Sequence, residues 1–155
     1  MPYSNRELTN RVNIWLSKIR REKPHSYPCN IPLSLETCDA EHSELTFRFE
    51  ARDDMENPWG VTHGGVLATA MDLAMGAAAR TVLDQADTPT VNMNIGYLRP
   101  VPLHTSVLIH VCVLHGGKHL ATLHATAYLD GEEHPCVSAE GVYFMKNKPL
   151  ILEEV

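Results

Sequence analysis

Between Gly64 and Ala79 the only charged residue is Asp72, which stands among Met71, Leu73, Ala74 and Met75. Desolvating a carboxylate in so apolar a stretch costs on the order of several kcal/mol unless it is paired or protonated. The ordinary partner would be Arg80, eight residues on, but that interval is about 12 Å along a helix and too long for direct contact. A wet helical stripe is the other ordinary reading, and a base that takes a proton from water is the chemical one. The start of the same segment supplies a complementary group. His63-Gly64-Gly65 reads as a tight entry into a helix, and the N-H groups of a helix N-terminus carry roughly half a positive charge, enough to stabilise a developing oxyanion. Asn57, just upstream, is placed to hydrogen-bond or orient a polar group. Gly64 and Asp72 are also eight residues, or about 12 Å, apart, whereas a base and an oxyanion hole serving one carbonyl must converge on it. One copy cannot easily build the site, so the spacing predicts a homodimer with shared sites, in which Asp72 of one copy faces the His63-Gly64 end of the other.

The elements that must position these groups follow from periodicity. Ser4 and Glu7 form a capping-box pattern, after which Leu8, Val12, Trp15, Leu16 and Ile19 recur at helical spacing until Pro24. Three prolines between Pro24 and Pro32 predict an extended loop. Leu45, Phe47, Phe49 and Ala51 then alternate with polar residues as in a half-buried strand, ending near Asp53-Asp54. The apolar segment from Gly64 to about Leu83 predicts a long buried helix. Four alternating stretches follow, Thr90 to Arg99, Thr105 to His115, His119 to Asp130 and Pro135 to Lys146, separated by turn-forming Pro and Gly residues. The order helix, strand, helix, four strands predicts an α+β chain: an antiparallel five-stranded sheet against a long central helix, with an additional N-terminal helix, all within one domain spanning residues 1–155.

The chain has 155 residues, 44% hydrophobic and 21% charged, with Lys+Arg 13 against Asp+Glu 19 and a formal net charge of -6. An acidic chain without a basic stripe is not expected to bind nucleic acid. The Gly64 to Leu83 run contains Asp72 and Arg80, which argues against a membrane span, and Met1 to Arg20 lacks the pattern of a secretory signal. Cys29, Cys38, Cys112 and Cys136 have no zinc-like spacing and are too few for a disulfide scaffold, so a cytoplasmic location is expected. His110, His115, His119, His124 and His134 show neither HxH nor HExxH spacing, and no metal is expected. There is no GxSxG elbow, which argues against a serine nucleophile.

The stretch Asn57-Pro58-Trp59-Gly60-Val61-Thr62-His63-Gly64-Gly65, followed seven residues later by Asp72, resembles the signature of hotdog-fold acyl-CoA thioesterases of the PaaI type. The resemblance extends over nearly the whole chain and implies a sheet wrapped around the central helix, in a dimer or a dimer of dimers. It implies hydrolysis of an acyl-CoA or aroyl-CoA to the free acid and CoA, with no cofactor, since CoA is part of the substrate. In that family Asp72 would be the base, or in some members the nucleophile. The Gly64 N-H would polarise the thioester carbonyl, Asn57 would lie near the thioester and water across the dimer interface, His63 would orient this group, and Thr90 would help position the water. CoA contacts would fall on Tyr97, Leu98, Arg99 and Pro100, on His115, Gly116, Gly117 and Lys118, and near Lys146, with Arg99, Lys118 and Lys146 as phosphate partners. Trp59, Met71 and Met75 are at home either in an acyl pocket or in the core. A non-catalytic acyl-CoA-binding module and a hotdog hydratase acting on enoyl or 3-hydroxyacyl thioesters are the competing readings.

Overall fold

Helix α1 (Asn5–Glu22) starts where its capping box is written: the Ser4 hydroxyl accepts from the Glu7 N-H at 3.3 Å, and the Glu7 carboxylate accepts from the Ser4 N-H at 2.7 Å. Leu8, Val12, Trp15 and Leu16 form its buried face. The structure, a computed structural model, describes residues 3–152. After a short 3-10 turn at Tyr27–Asn30 come β1 (Leu33–Asp39) and β2 (Glu44–Glu50), then α2 (Gly64–Val82), and then β3 (Thr90–Tyr97), β4 (Ser106–Gly116), β5 (Leu120–Leu129) and β6 (Pro135–Phe144). The two helices and the four C-terminal strands fall close to their predicted bounds.

The sheet has six strands where five were expected, in the order β1-β2-β4-β5-β6-β3, every neighbouring pair antiparallel. The added strand is β1. Its pairing with β2 shifts register between Leu35 and Thr37, and a bulge breaks the two-residue alternation by which a strand is recognised. β3 closes the opposite edge beyond β6, where a second bulge lies between Thr90 and Asn92.

α2 packs against β2, β3, β4, β5 and β6, the wrap expected of a hotdog sheet. Ala70, Ala74, Ala77 and Ala78 are fully buried, and their small side chains let the helix lie close to the inward residues Phe47, Phe49, Ile109 and Leu123. Met71 and Met75 belong to this core. Among the described residues no helix is long and apolar enough to cross a membrane, and the four cysteines are free.

Candidate active site

The N-terminus of α2 is built by the loop that precedes it. The Asn57 side-chain oxygen accepts from the backbone N-H groups of Trp59 and Val61 at 2.9 and 3.2 Å, an Asx-type closure that leaves the Asn57 amide hydrogens free to donate. Gly60 completes the turn at φ +80, a conformation suited to glycine. His63 is the N-cap of α2: its Nδ1 accepts from the Gly65 N-H at 2.9 Å, and its backbone carbonyl accepts from Val66 and Leu67. The neighbouring Gly64 N-H has no acceptor among the described residues. The Tyr97 hydroxyl donates to the Gly64 carbonyl at 2.7 Å, and a Cβ at Gly64 would lie 3.2 Å from the Tyr97 ring. A cavity of ≈ 310 Å³ opens here between Asn57, Gly64 and the Tyr97–Val101 segment.

Two turns further along α2 a different environment holds Asp72. Thr90 Oγ1 donates to its Oδ1 at 2.7 Å and the Tyr143 hydroxyl donates to the same oxygen at 2.9 Å. Thr90, expected to position water, thus meets the carboxylate directly. Oδ2 is left without a protein partner among the described residues. Tyr143 is fully buried; its ring lies 3.8 Å from a Cβ placed on Gly76 of α2, and a Cβ on Gly141 would meet it at 2.7 Å. Both glycines make room for the ring. Burial, with the Asp72 charge beside it, pushes the Tyr143 phenol well above the ordinary tyrosine range, so it remains a donor throughout neutral and moderately alkaline pH. Asp72 opens on a second cavity of ≈ 190 Å³, bounded by Thr69, Thr90, Tyr143 and Trp15 and reaching Arg80. Asp72 and Arg80 make no ion pair.

The Gly64 and Asp72 groups therefore open on separate cavities within one chain, as their spacing requires. β3 connects them: its first residue, Thr90, holds Asp72, and its last, Tyr97, holds Gly64.

The expected CoA-binding residues divide between the same two ends. Tyr97, Leu98, Arg99 and Pro100 border the Gly64 cavity. Their one cation is already engaged: the Arg99 guanidinium donates to Glu132 at 2.7 Å and to the carbonyls of His134 and Pro135. His115, Gly116, Gly117 and Lys118 form the β4–β5 hairpin at the Thr90 end of the sheet. Gly116 is required there by packing, since a Cβ would lie 2.7 Å from Leu83. Lys118 is exposed and unpaired among the described residues, and Lys146 sits 3.6 Å from Asp87. Trp59 is 83% exposed beside the Gly64 end and lines neither cavity. Sequence reasoning missed Tyr143, whose only signal is Gly141, two positions earlier on the same strand face. Among the described residues no three His, Cys, Asp or Glu side chains are placed to hold a metal ion.

Residues 60–136 match the thioesterase superfamily, a span that begins in the Asn57 turn and includes α2 with Asp72 and strands β3, β4 and β5. The chain belongs to the thioesterase superfamily. As a member it is a thioester hydrolase, and its carboxylate and helix terminus lie inside the matched region. A candidate esterase of Saccharolobus solfataricus is 29% identical over 113 residues, covering 73% of each chain. Among solved structures, Escherichia coli PaaI, from the phenylacetic acid degradation operon, superposes with a TM-score of 0.74 at 14% identity, over 93% of this chain and 99% of that one. A Streptococcus mutans protein bound to acetyl CoA gives 0.67 at 21% identity over 81% and 98%. A Streptococcus pneumoniae hypothetical thioesterase with coenzyme A gives 0.68 at 19% over 76% and 88%. At these identities the superpositions establish the fold, the hotdog fold of PaaI.

Proposed function

We propose that this chain hydrolyses acyl-CoA or aroyl-CoA thioesters to the free acid and CoA, at two equivalent sites shared between two copies of itself. The observation that carries the reading is the placement of both half-sites on one edge strand. β3 has no neighbour on its outer side among the described residues, and an unpaired edge is a template for another strand. Two-fold antiparallel pairing of β3 with its counterpart, centred on Asn94 and with the extra residue Val91 left unopposed, sets Thr90 of one copy opposite Tyr97 of the other. Asp72 of each copy is thereby brought to the Gly64 end of its partner, and the separation along α2 becomes irrelevant. The same pairing puts the Lys118 and Lys146 end of one copy on the same side of the combined sheet as the Tyr97–Pro100 segment of the other, a surface that can take the CoA phosphates. That two of the three similar solved structures, from Streptococcus mutans and Streptococcus pneumoniae, hold acetyl CoA or coenzyme A supports the choice of thioester.

In the reaction the thioester carbonyl lies against the free Gly64 N-H, with the Asn57 amide beside it. Asp72, aligned through Oδ1 by Thr90 and Tyr143, takes a proton from water through Oδ2. The water oxygen bonds to the carbonyl carbon, and the oxyanion that forms is held by the Gly64 N-H. When the tetrahedral adduct collapses the C-S bond breaks, the thiolate leaves as CoA with the proton, and the acid departs. A fixed donor of this type is worth about 3 kcal/mol in related acyl transfers.

Mixing two inactive variants tests the shared site. Asp72→Ala alone and Gly64→Val alone should each lose thiol release from acyl-CoA. Refolded together at equal amounts they should recover about a quarter of wild-type activity, because each mixed dimer has one site with both groups intact. No recovery in a mixture shown to contain mixed dimers would overturn the shared site, and undiminished turnover by Asp72→Ala would overturn the base.

A further inference from the structure

The cavity beside Asp72 ends on a half-buried cation, Arg80. Arg80 lies two turns beyond Asp72 on α2, about 12 Å along the helix, and both line the same cavity with Trp15 and Thr88. The Arg80 guanidinium forms neither an ion pair nor a hydrogen bond among the described residues. Its Nε is buried without a partner, and so is the Thr88 hydroxyl. One face of the guanidinium is covered by the Trp15 ring at 5.0 Å. Burial pulls its pKa below the ordinary arginine value, and Asp87 opposes this only in part. The nearby carboxylates do not close on it: Asp87 faces Lys146, Glu22 borders the neighbouring cavity, and Asp72 is bound to Thr90 and Tyr143. A half-buried cation with no counter-ion, whose Nε is shut off from water, is costly. It is also an unusual end for a pocket that need only receive a hydrocarbon tail, because a methyl group leaves both buried donors unsatisfied.

We propose that Arg80, with Thr88, selects acyl-CoA substrates whose acyl group ends in a carboxylate. The thioester would sit at Asp72 and the distal carboxylate at the far end of the cavity, its oxygens accepting from Arg80 and from the Thr88 hydroxyl. The planar guanidinium fork matches a carboxylate better than any neutral terminus. Trp15 would hold the fork from behind, so that α1, the helix outside the matched span, contributes to substrate choice. This inference rests on the proposed hydrolysis of acyl-CoA for the position of the thioester.

The test is a series of CoA thioesters of graded chain length, each made in two forms that end in a carboxylate or in a methyl group. At its best chain length the wild-type protein should favour the carboxylate form by about tenfold or more in kcat/KM, chiefly through KM. Arg80→Met should bring the ratio of the two forms near unity, Arg80→Lys should keep part of the preference, and Thr88→Val should weaken it about threefold. Thermal unfolding confirms that each variant is folded. Equal use of both forms by the wild-type protein, or a ratio unchanged by Arg80→Met, would overturn the assignment while leaving hydrolysis standing. If no thioester is cleaved at all, the hydrolytic reading is what fails. Calorimetric binding of the corresponding non-hydrolysable CoA thioethers then decides the role of Arg80: tighter binding of the carboxylate form supports it, and equal binding rejects it.

Discussion

At its first residue α2 presents a backbone donor that the fold leaves unsatisfied, whereas two turns later it presents a carboxylate that the fold holds at one oxygen with two hydroxyls. In the proposed reaction the two ends act at different moments, and their opposite finish fits those roles. An oxyanion exists only once the reaction is under way, so its donor must stand open beforehand and cost nothing to reorganise. A base must already be aligned when water arrives, so its orientation is fixed in the resting protein. His63 shows how closely the first end is set: its ring satisfies Gly65 and leaves Gly64 alone.

The contrast can be broken from either side. Asp72→Asn keeps an oxygen able to accept from Thr90 and Tyr143 and removes only the proton acceptor, so thiol release should fall by about a thousandfold with unchanged thermal stability; a loss of fold would show that the carboxylate is structural. Gly64→Ala leaves every carboxylate contact in place but drives a methyl group against Tyr97, 3.2 Å away, and should cost about tenfold to a hundredfold in kcat. Tyr143→Phe removes one of the two hydroxyls and should lower kcat by about threefold to tenfold, measurable beside an unchanged KM. That variant also carries a pH signature. Tyr143 has its pKa raised by folding, so its contribution to stability is intact below the unfolded value near 10 and is lost as pH rises through the folded one. Wild-type thermal stability should decline above about pH 10, and Tyr143→Phe should decline less. The smallest effect is expected at His63→Ala, which removes the cap and should cost about 1 kcal/mol of stability in denaturant unfolding, with His63→Asn restoring most of it.

Much of this arrangement is legible in the residues. The capping box at Ser4, the alternation in β4, β5 and β6, and the apolar run of α2 each express a local rule, and the structure follows them closely. The separation of Gly64 from Asp72 is legible too, because eight residues of helix have a fixed length. What escapes is decided by partners distant in sequence. β1 is hidden by a bulge that depends on its pairing with β2. Arg99 looks like a free cation until the Glu132–Pro135 turn folds back onto it. Tyr143 reads as one more core aromatic, since nothing local says that its hydroxyl will reach a carboxylate 71 residues away.

The bulge at the start of β3 has a consequence for symmetry of a different kind. Thr90 and Tyr97 are seven positions apart, an odd interval, and strict alternation would turn their side chains to opposite faces of the sheet. Yet both reach the same helix. The register shift supplies the missing step: Val91 is the extra residue, unopposed on β6 and 58% exposed, and by absorbing one position it returns Thr90 to the side of Tyr97. β3 thus behaves as a parity corrector. Removing Val91 would leave both side chains facing α2 on a flat strand one residue shorter, whereas inserting one residue between Asn92 and Tyr97 would rotate Thr90 outward and free Asp72 of a partner.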